Sequence, residues 1–194
     1  MNVLHLLRHA KSDWGDLALS DHARPLNKRG VAAAKAMGRQ LAAEDFQVDM
    51  ICCSTAKRAR ETLERLGPNL RRIPTTFHDE LYLVSPQDVL AFIRRLPESA
   101  SSILLVGHNP TTHDLALALS ARAAPGRRQD FAKLKEKYPT GALCTVRFPA
   151  AHWRQVAPGT GTLVRFLKPR DLAHTPPAKR KAAKKKTAKR SPRR

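Results

Sequence analysis

The chain has 194 residues, 42% of them hydrophobic but only 5% aromatic, and a formal charge of +20. That length suits one domain with an aliphatic, Ala-rich core, and the charge points to an anionic substrate or partner without saying which anion. No run approaches the ~20 apolar residues of a membrane span. Three cysteines, Cys52, Cys53 and Cys144, with no C-x-x-C spacing, argue against a zinc site or a disulfide framework and for a reducing compartment.

In chain order, "NVLHLLR" (2–8) reads as a buried strand that runs straight into Arg8 and His9. This interruption of the first apolar run is unlike a signal peptide, so a cytoplasmic location is expected. "RPLNKRGVAAAKAMGRQLAAE" (24–44) reads as a helix with Asn27 as N-cap. "VDMICCS" (48–54) is a second strand, whose adjacent cysteines must face opposite sides. "AKRARETLERLG" (56–67) is a helix capped by Ser54 or Thr55, and "RIPTTFH" (72–78) an edge strand because of its proline. "SPQDVLAFIRRLP" (85–97) opens with Ser85 as cap and Pro86 at the first helical position.

"SSILLVGHN" (101–109) is the most strongly apolar strand, and a helix over 110–121 follows it with Asn109 as cap. "GALCTVRF" (141–148) and "GTLVRFLKP" (161–169) complete the strands. Strands alternating with helices predict an α/β fold: a three-layer α/β/α sandwich with a mostly parallel central sheet. In such sheets ligands bind beyond the carboxyl ends of the strands. Arg8-His9, the Ser54–Arg60 segment and His108-Asn109 all fall there.

The last 26 residues hold eleven Lys or Arg and one Asp. They lack the apolar groups needed to offset chain ordering. The expected division is therefore a folded domain over 1–172 and a disordered basic tail over 173–194. With no interleaved aromatics, residues 174–194 would bind nucleic acid or polyphosphate without regard to sequence and with steep salt dependence.

Three stretches carry chemistry. His9 can serve as nucleophile and proton carrier near neutral pH, and Arg8 beside it favours the neutral, reactive imidazole. "STAKRARET" (54–62) sets Lys57, Arg58 and Arg60 at a helix start, where cations oppose the helix dipole unless an anion joins them. "LLVGHNP" (104–110) places His108 after a glycine, with no ready structural task. "HDELY" (78–82) adds a carboxyl pair, of which one could be a general acid or simply balance charge.

"LRHAKS", "STAKRARET" and "VGHNP", in this order and at strand ends, resemble the motifs of the histidine phosphatase superfamily, the phosphoglycerate-mutase-like fold. The close of the folded region, "KYPTGALCTVRF" to "GTLVRFLKPRDL", is most similar to its short SixA-type phosphohistidine phosphatases. The resemblance covers residues 1–172. It implies a phosphatase without cofactor or metal in which His9 takes the phosphoryl group. Arg8 and Arg58 would bind phosphate oxygens, and His108 would complete the pocket. Glu80 is the implied acid for the leaving group; Asn27, Ser12 and Asn109 are further expected phosphate contacts. Ala10 stands where many members have Gly. The implied substrate is phosphohistidine on a protein, with small phosphate esters as the alternative.

Overall fold

The computed structural model of the protein describes residues 1–172. The expected basic tail and its polyanion partner fall outside these residues.

Seven strands form one sheet: β1 (Asn2–Arg8), β2 (Met50–Ser54), β3 (Thr75–His78), β4 (Ser102–Gly107), β5 (Ser120–Ala123), β6 (Leu143–Phe148) and β7 (Gly161–Leu167). Their order is β3-β2-β4-β1-β6-β7-β5. Only β6 runs against its neighbours, so the sheet is mostly parallel, as expected. Six helices cover it: α1 (Lys28–Ala43), α2 (Lys57–Arg65), α3 (Pro86–Arg94), α4 (Thr111–Leu119), α5 (Arg128–Glu136) and α6 (Pro169–Leu172).

The strands bury both faces, and side-chain alternation divides them between two cores. Leu4, Leu6, Cys52 and Leu105 face α3, α4 and α5, against Phe92, Ile93, Leu115 and Leu134. Leu7, Cys53, Leu104 and Val106 face α1 and α2, against Met37, Leu41 and Leu63. The two adjacent cysteines thus serve opposite layers, and all three thiols are free and buried.

This layering creates the crevice. The chain leaves β1 towards α1 on one face and leaves the neighbouring β4 towards α4 on the other. Diverging connections at adjacent parallel strands open a cleft beyond their carboxyl ends. Two glycines hold one wall of it close. A Cβ on Gly30 would lie 2.1 Å from the Lys11 carbonyl oxygen, and one on Gly38 would lie 2.0 Å from that of Leu66. Gly30 therefore lets the first turn of α1 rest on the backbone just after His9, and Gly38 lets α1 lie against the end of α2.

Caps fix the helix starts where expected at two sites. The Asn27 side chain accepts from Gly30 N–H (2.9 Å), and Ser85 and Asp88 form a reciprocal box at α3. Two expectations are corrected. At α2 the capping position is Ala56, with the Ser54 hydroxyl only 3.4 Å from its N–H. At α4 it is Pro110, so Asn109 is not the cap. The cost of an uncapped start falls because the His108 carbonyl accepts both the N–H and the hydroxyl of Thr112 (2.8 and 2.9 Å).

Candidate active site at the carboxyl end of the sheet

β1 pairs with β4 so that Arg8 lies opposite Gly107, and the His9 N–H donates to the Gly107 carbonyl (3.0 Å). The residues one step beyond, His9 and His108, therefore meet: their ring centroids are 5.0 Å apart. β2 lies on the far side of β4, and its last residue, Ser54, meets His108 with the hydroxyl 2.8 Å from Nε2. α2 starts three residues later and directs Arg58 back over the strand ends. Thr62 ties the two segments, accepting from Ala10 N–H (2.9 Å) and donating to the Arg58 carbonyl (2.6 Å).

The His9 ring has a defined tautomer. Its Nδ1 lies 2.7 Å from the Ala10 carbonyl oxygen, which can only accept, so Nδ1 carries the proton. Nε2 then holds the free lone pair and accepts from the Arg58 Nε–H (3.3 Å). Burial draws the pKa of His9 down to about 4; the Ala10 carbonyl works against this, and the positive charges of Arg58, Arg8 and Arg24 reinforce it. His108 is drawn down to about 3, first by burial, then by His9 and Arg58. Both rings are neutral at pH 7.

Three arginines bring positive charge to bear on the His9 ring. Arg58 is buried, with NH1 on the Asp21 carbonyl (2.5 Å) and NH2 on the Asp21 carboxylate (2.9 Å). Arg8 donates from NH1 to the Tyr138 carbonyl (2.8 Å), which also accepts from the Asn109 amide (3.1 Å). Arg24 is also buried, pairs with Asp21 (2.8 Å) and stacks under Trp14, its guanidinium carbon 3.3 Å from the ring centroid. The expected helix over 24–44 begins only at Lys28, so Arg24 lies in the loop before it and no helical periodicity marks it as a site residue.

Among the described residues, this cluster concentrates unpaired buried polar atoms. Arg8 Nε, Arg24 Nε and NH1, His108 Nδ1 and Asn109 Oδ1 have no hydrogen-bond partner. A buried donor without an acceptor costs about 1–3 kcal/mol, so native folds rarely gather several in one place unless a ligand meets them. Three of the five are arginine donors, which match an anion with several acceptor oxygens.

Of the residues expected at the site, Arg8, His9, Arg58, His108 and Asn109 come together. Ser12 and Asn27 meet each other instead: the Asn27 amide reaches the Ser12 carbonyl (3.3 Å), and its oxygen caps α1. Glu80 sits in a short 3-10 turn with half its side chain exposed and its carboxylate on Arg95 (2.9 Å). The groups that do face the cleft there are Tyr82 and Asp21. The Tyr82 hydroxyl donates to Asp21 (2.6 Å), and its ring meets those of His108 and His22 edge-on. Asp21 is held below the usual carboxylate range, first by the Tyr82 hydrogen bond and then by Arg58 and Arg24. It is therefore an anion at neutral pH. No group of three His, Cys, Asp or Glu side chains placed to hold a metal occurs among the described residues.

Comparison with known proteins agrees with this geometry. Residues 4–82 match the model of the histidine phosphatase superfamily (branch 1). An uncharacterized protein of Mycobacterium tuberculosis is 39% identical over 168 residues, 84% of this chain and 100% of its own length. Among solved structures, the fold is similar to those described as the putative phosphohistidine phosphatases SixA of Nakamurella multipartitia and Agrobacterium tumefaciens. The first is 30% identical with a TM-score of 0.71, covering 87% of this chain and 96% of that one; the second is 29% identical with a TM-score of 0.70, covering 86% and 97%. With the family motifs on the same strand ends as the paired histidines, the chain belongs to the histidine phosphatase superfamily, in its SixA-type group, and is a phosphatase.

Proposed function

We propose that this phosphatase works through a covalent intermediate on His9 and that its substrate is phosphohistidine carried on a protein. The observation that supports the reading most directly is the His9 tautomer: a buried neutral ring with Nδ1–H on Ala10 and an unprotonated Nε2 that accepts from Arg58. That is the state a nucleophilic imidazole needs.

In the first step the Nε2 lone pair bonds to phosphorus as the bond from phosphorus to the leaving nitrogen breaks. Arg8 and Arg24 donate to the phosphoryl oxygens through their unpaired N–H groups, the Arg58 Nε–H passes from Nε2 to those oxygens as the lone pair bonds to phosphorus, and His108 completes that wall. These donors are already oriented by Asp21 and the Tyr138 carbonyl, so little reorganisation accompanies charge development. In the second step water attacks phosphorus, the bond to Nε2 breaks, and orthophosphate leaves. One water is consumed and His9 returns to its starting form. The positive charge is supplied by side chains throughout.

The leaving group argues for a phosphoramidate. An alkoxide needs a proton from a nearby acid as it departs. Glu80 is bound to Arg95 at the surface, and Asp21 is ionised. A histidine leaving group needs less help, because an imidazole nitrogen takes up a proton readily near neutral pH. Asn27 and Ser12 then serve to stitch the loop after His9 to α1.

The test is a trapping experiment. Rapid mixing with labelled phosphohistidine protein, quenched without acid, should leave a base-stable, acid-labile phosphoryl group on the enzyme. Its persistence in His9→Ala would overturn the assignment of the nucleophile.

A further inference from the structure

The distribution of exposed apolar side chains extends the proposed function from the phosphoryl group to the molecule that carries it. Among the described residues, six large apolar side chains stand exposed: Met1, Trp14, Leu17, Leu19, Phe77 and Leu83. Met1 is the chain start, and Phe77 on the edge strand is partly covered by the Arg60 guanidinium, 5.2 Å from its ring centroid. The other four belong to the two segments that border the mouth above His9. Trp14, 65% exposed, roofs Arg24. Leu17 and Leu19, 94% and 37% exposed, lie in the same loop, which continues into Asp21 and His22. Leu83, 70% exposed, directly follows Tyr82, whose hydroxyl holds Asp21 across the cleft. Those two segments are joined by that hydrogen bond and by the His22–Tyr82 ring contact, 4.9 Å between centroids.

Leu83 is unusual in a second respect. Its φ is +52°, in the left-handed region that a branched apolar residue rarely occupies. Both the strained backbone and the exposed side chain are unfavourable in the free protein. Such outliers persist where a function requires them. Exposed apolar side chains gathered on the two segments that border a polar pocket mark an interaction surface.

We infer that Trp14, Leu17, Leu19 and Leu83 form a docking rim for a folded protein whose phosphohistidine enters the pocket, and that the protein presents an acidic, partly apolar surface around that histidine. The inference rests on the phosphohistidine reading above. The charge around the rim selects the occupant. The rim loop itself carries exposed Asp13 and Asp16 beside Lys11, but residues 1–172 as a whole hold 26 Lys and Arg against 16 acidic residues, so the overall field is positive. That field attracts an acidic surface and repels a second copy of this chain or its own basic tail. A small phosphate ester would fill the pocket and leave the rim in water.

The test uses the full chain and the double variant Leu17→Ser, Leu83→Asn. Leu17 is exposed, and Asn tolerates the left-handed backbone at position 83, so both changes remove apolar surface and leave the fold intact. Neither residue touches the phosphate pocket. Three substrates are compared: a protein phosphorylated on histidine with phosphoramidate, free phosphohistidine, and p-nitrophenyl phosphate. We expect kcat/KM on the protein to fall roughly tenfold, through KM, while both small substrates stay within about twofold. An equal fall on all three, or no change on the protein, overturns the inference. So does sedimentation showing the wild type as a dimer and the variant as a monomer, because the rim would then be covered by a second copy. Wild-type turnover of p-nitrophenyl phosphate alone, with neither phosphohistidine substrate used, overturns instead the reading on which the inference stands, and the inference with it.

Discussion

His5 and His9 lie four residues apart on the first strand and its extension, about 13 Å by strand rise. Both are buried, and burial is the main cause holding both neutral, at about 3 for His5 and about 4 for His9. They differ in what their nitrogens meet. His5 has Nδ1 beside the Thr145 hydroxyl (2.9 Å) and Nε2 beside that of Ser102 (3.3 Å), with Phe46 edge-on to its ring. Its neighbour Arg165 is paired with Glu44. His9 has Nδ1 on a backbone carbonyl and Nε2 on an arginine N–H, within a group of unpaired buried donors. A lowered pKa therefore does not distinguish a structural histidine from the proposed nucleophile. Incomplete hydrogen bonding around it does.

The widest test of that contrast exchanges each ring for an amide. His9→Asn removes the only nucleophile the proposed mechanism has, so kcat should fall by about 10³-fold or more, with stability changed by no more than about 1 kcal/mol. His5→Asn should do the reverse. Loss of two buried hydrogen bonds costs about 1–3 kcal/mol in urea unfolding, while kcat/KM stays within about threefold. Comparable activity losses in the two variants would show that the ends of β1 are not functionally distinct.

Next in size is Arg24→Ala. It removes two open donors and the stack with Trp14, and should lower kcat/KM on any phosphate substrate by about 10²-fold, in line with the loss of a preorganised donor to a developing anion. A loss under about threefold would mean that its unpaired N–H groups do not meet the phosphoryl oxygens.

This arginine also shows where sequence and structure part. Arg8, His9, Arg58 and His108 were legible because each adjoins the end of an apolar run, and strand ends in a parallel sheet converge. Arg24, Asp21 and Tyr82 lie in irregular segments, and only the chain's return over the cleft brings them there. The fold divides the same way. β1, β2, β4, β6 and β7 announce themselves by continuous apolar residues. The expected helix over 110–121 runs into the first two residues of β5, because "LALALSARA" carries helical propensity and only pairing with β7 makes its end a strand. α5 leaves no mark in the sequence pattern because it buries a single residue, Leu134, and shows no apolar stripe. The strand order, with β4 between β2 and β1, rests on long-range pairing that no local pattern encodes.

The acid dependence of stability sharpens the comparison without touching activity. His5, His9 and His108 are all neutral in the fold, at about 3, 4 and 3, whereas the unfolded chain takes up protons at each below about 6.5. The unfolded state then binds more protons, so stability rises with pH across this window, is complete above about 6.5, and is lost as pH falls towards 4. Between pH 6.5 and 4.5 each ring should cost on the order of 2 kcal/mol. Thermal unfolding of His5→Asn should show about two thirds of the wild-type acid loss. A full acid loss in that variant would show that His5 is not neutral in the fold, and the pairing of its two nitrogens with hydroxyls would need another account.

The smallest expected effect belongs to Glu80. Its carboxylate is half exposed and spent on Arg95, with the His78 ring 3.8 Å away, and an exposed pair of this kind contributes about 0–1 kcal/mol. Glu80→Gln should therefore leave stability nearly unchanged and kcat on phosphohistidine protein within about twofold. The same variant on an alkyl phosphate, where a leaving alkoxide demands a proton, is the sharper measurement. Equal, slight effects on both substrates would agree with a site that has no carboxylic acid to lend. A selective loss of about tenfold or more on the alkyl ester would mean that the 3-10 turn swings Glu80 off Arg95 and into the cleft during turnover. The boundary between surface ion pair and active site would then have to be redrawn one turn further along the chain.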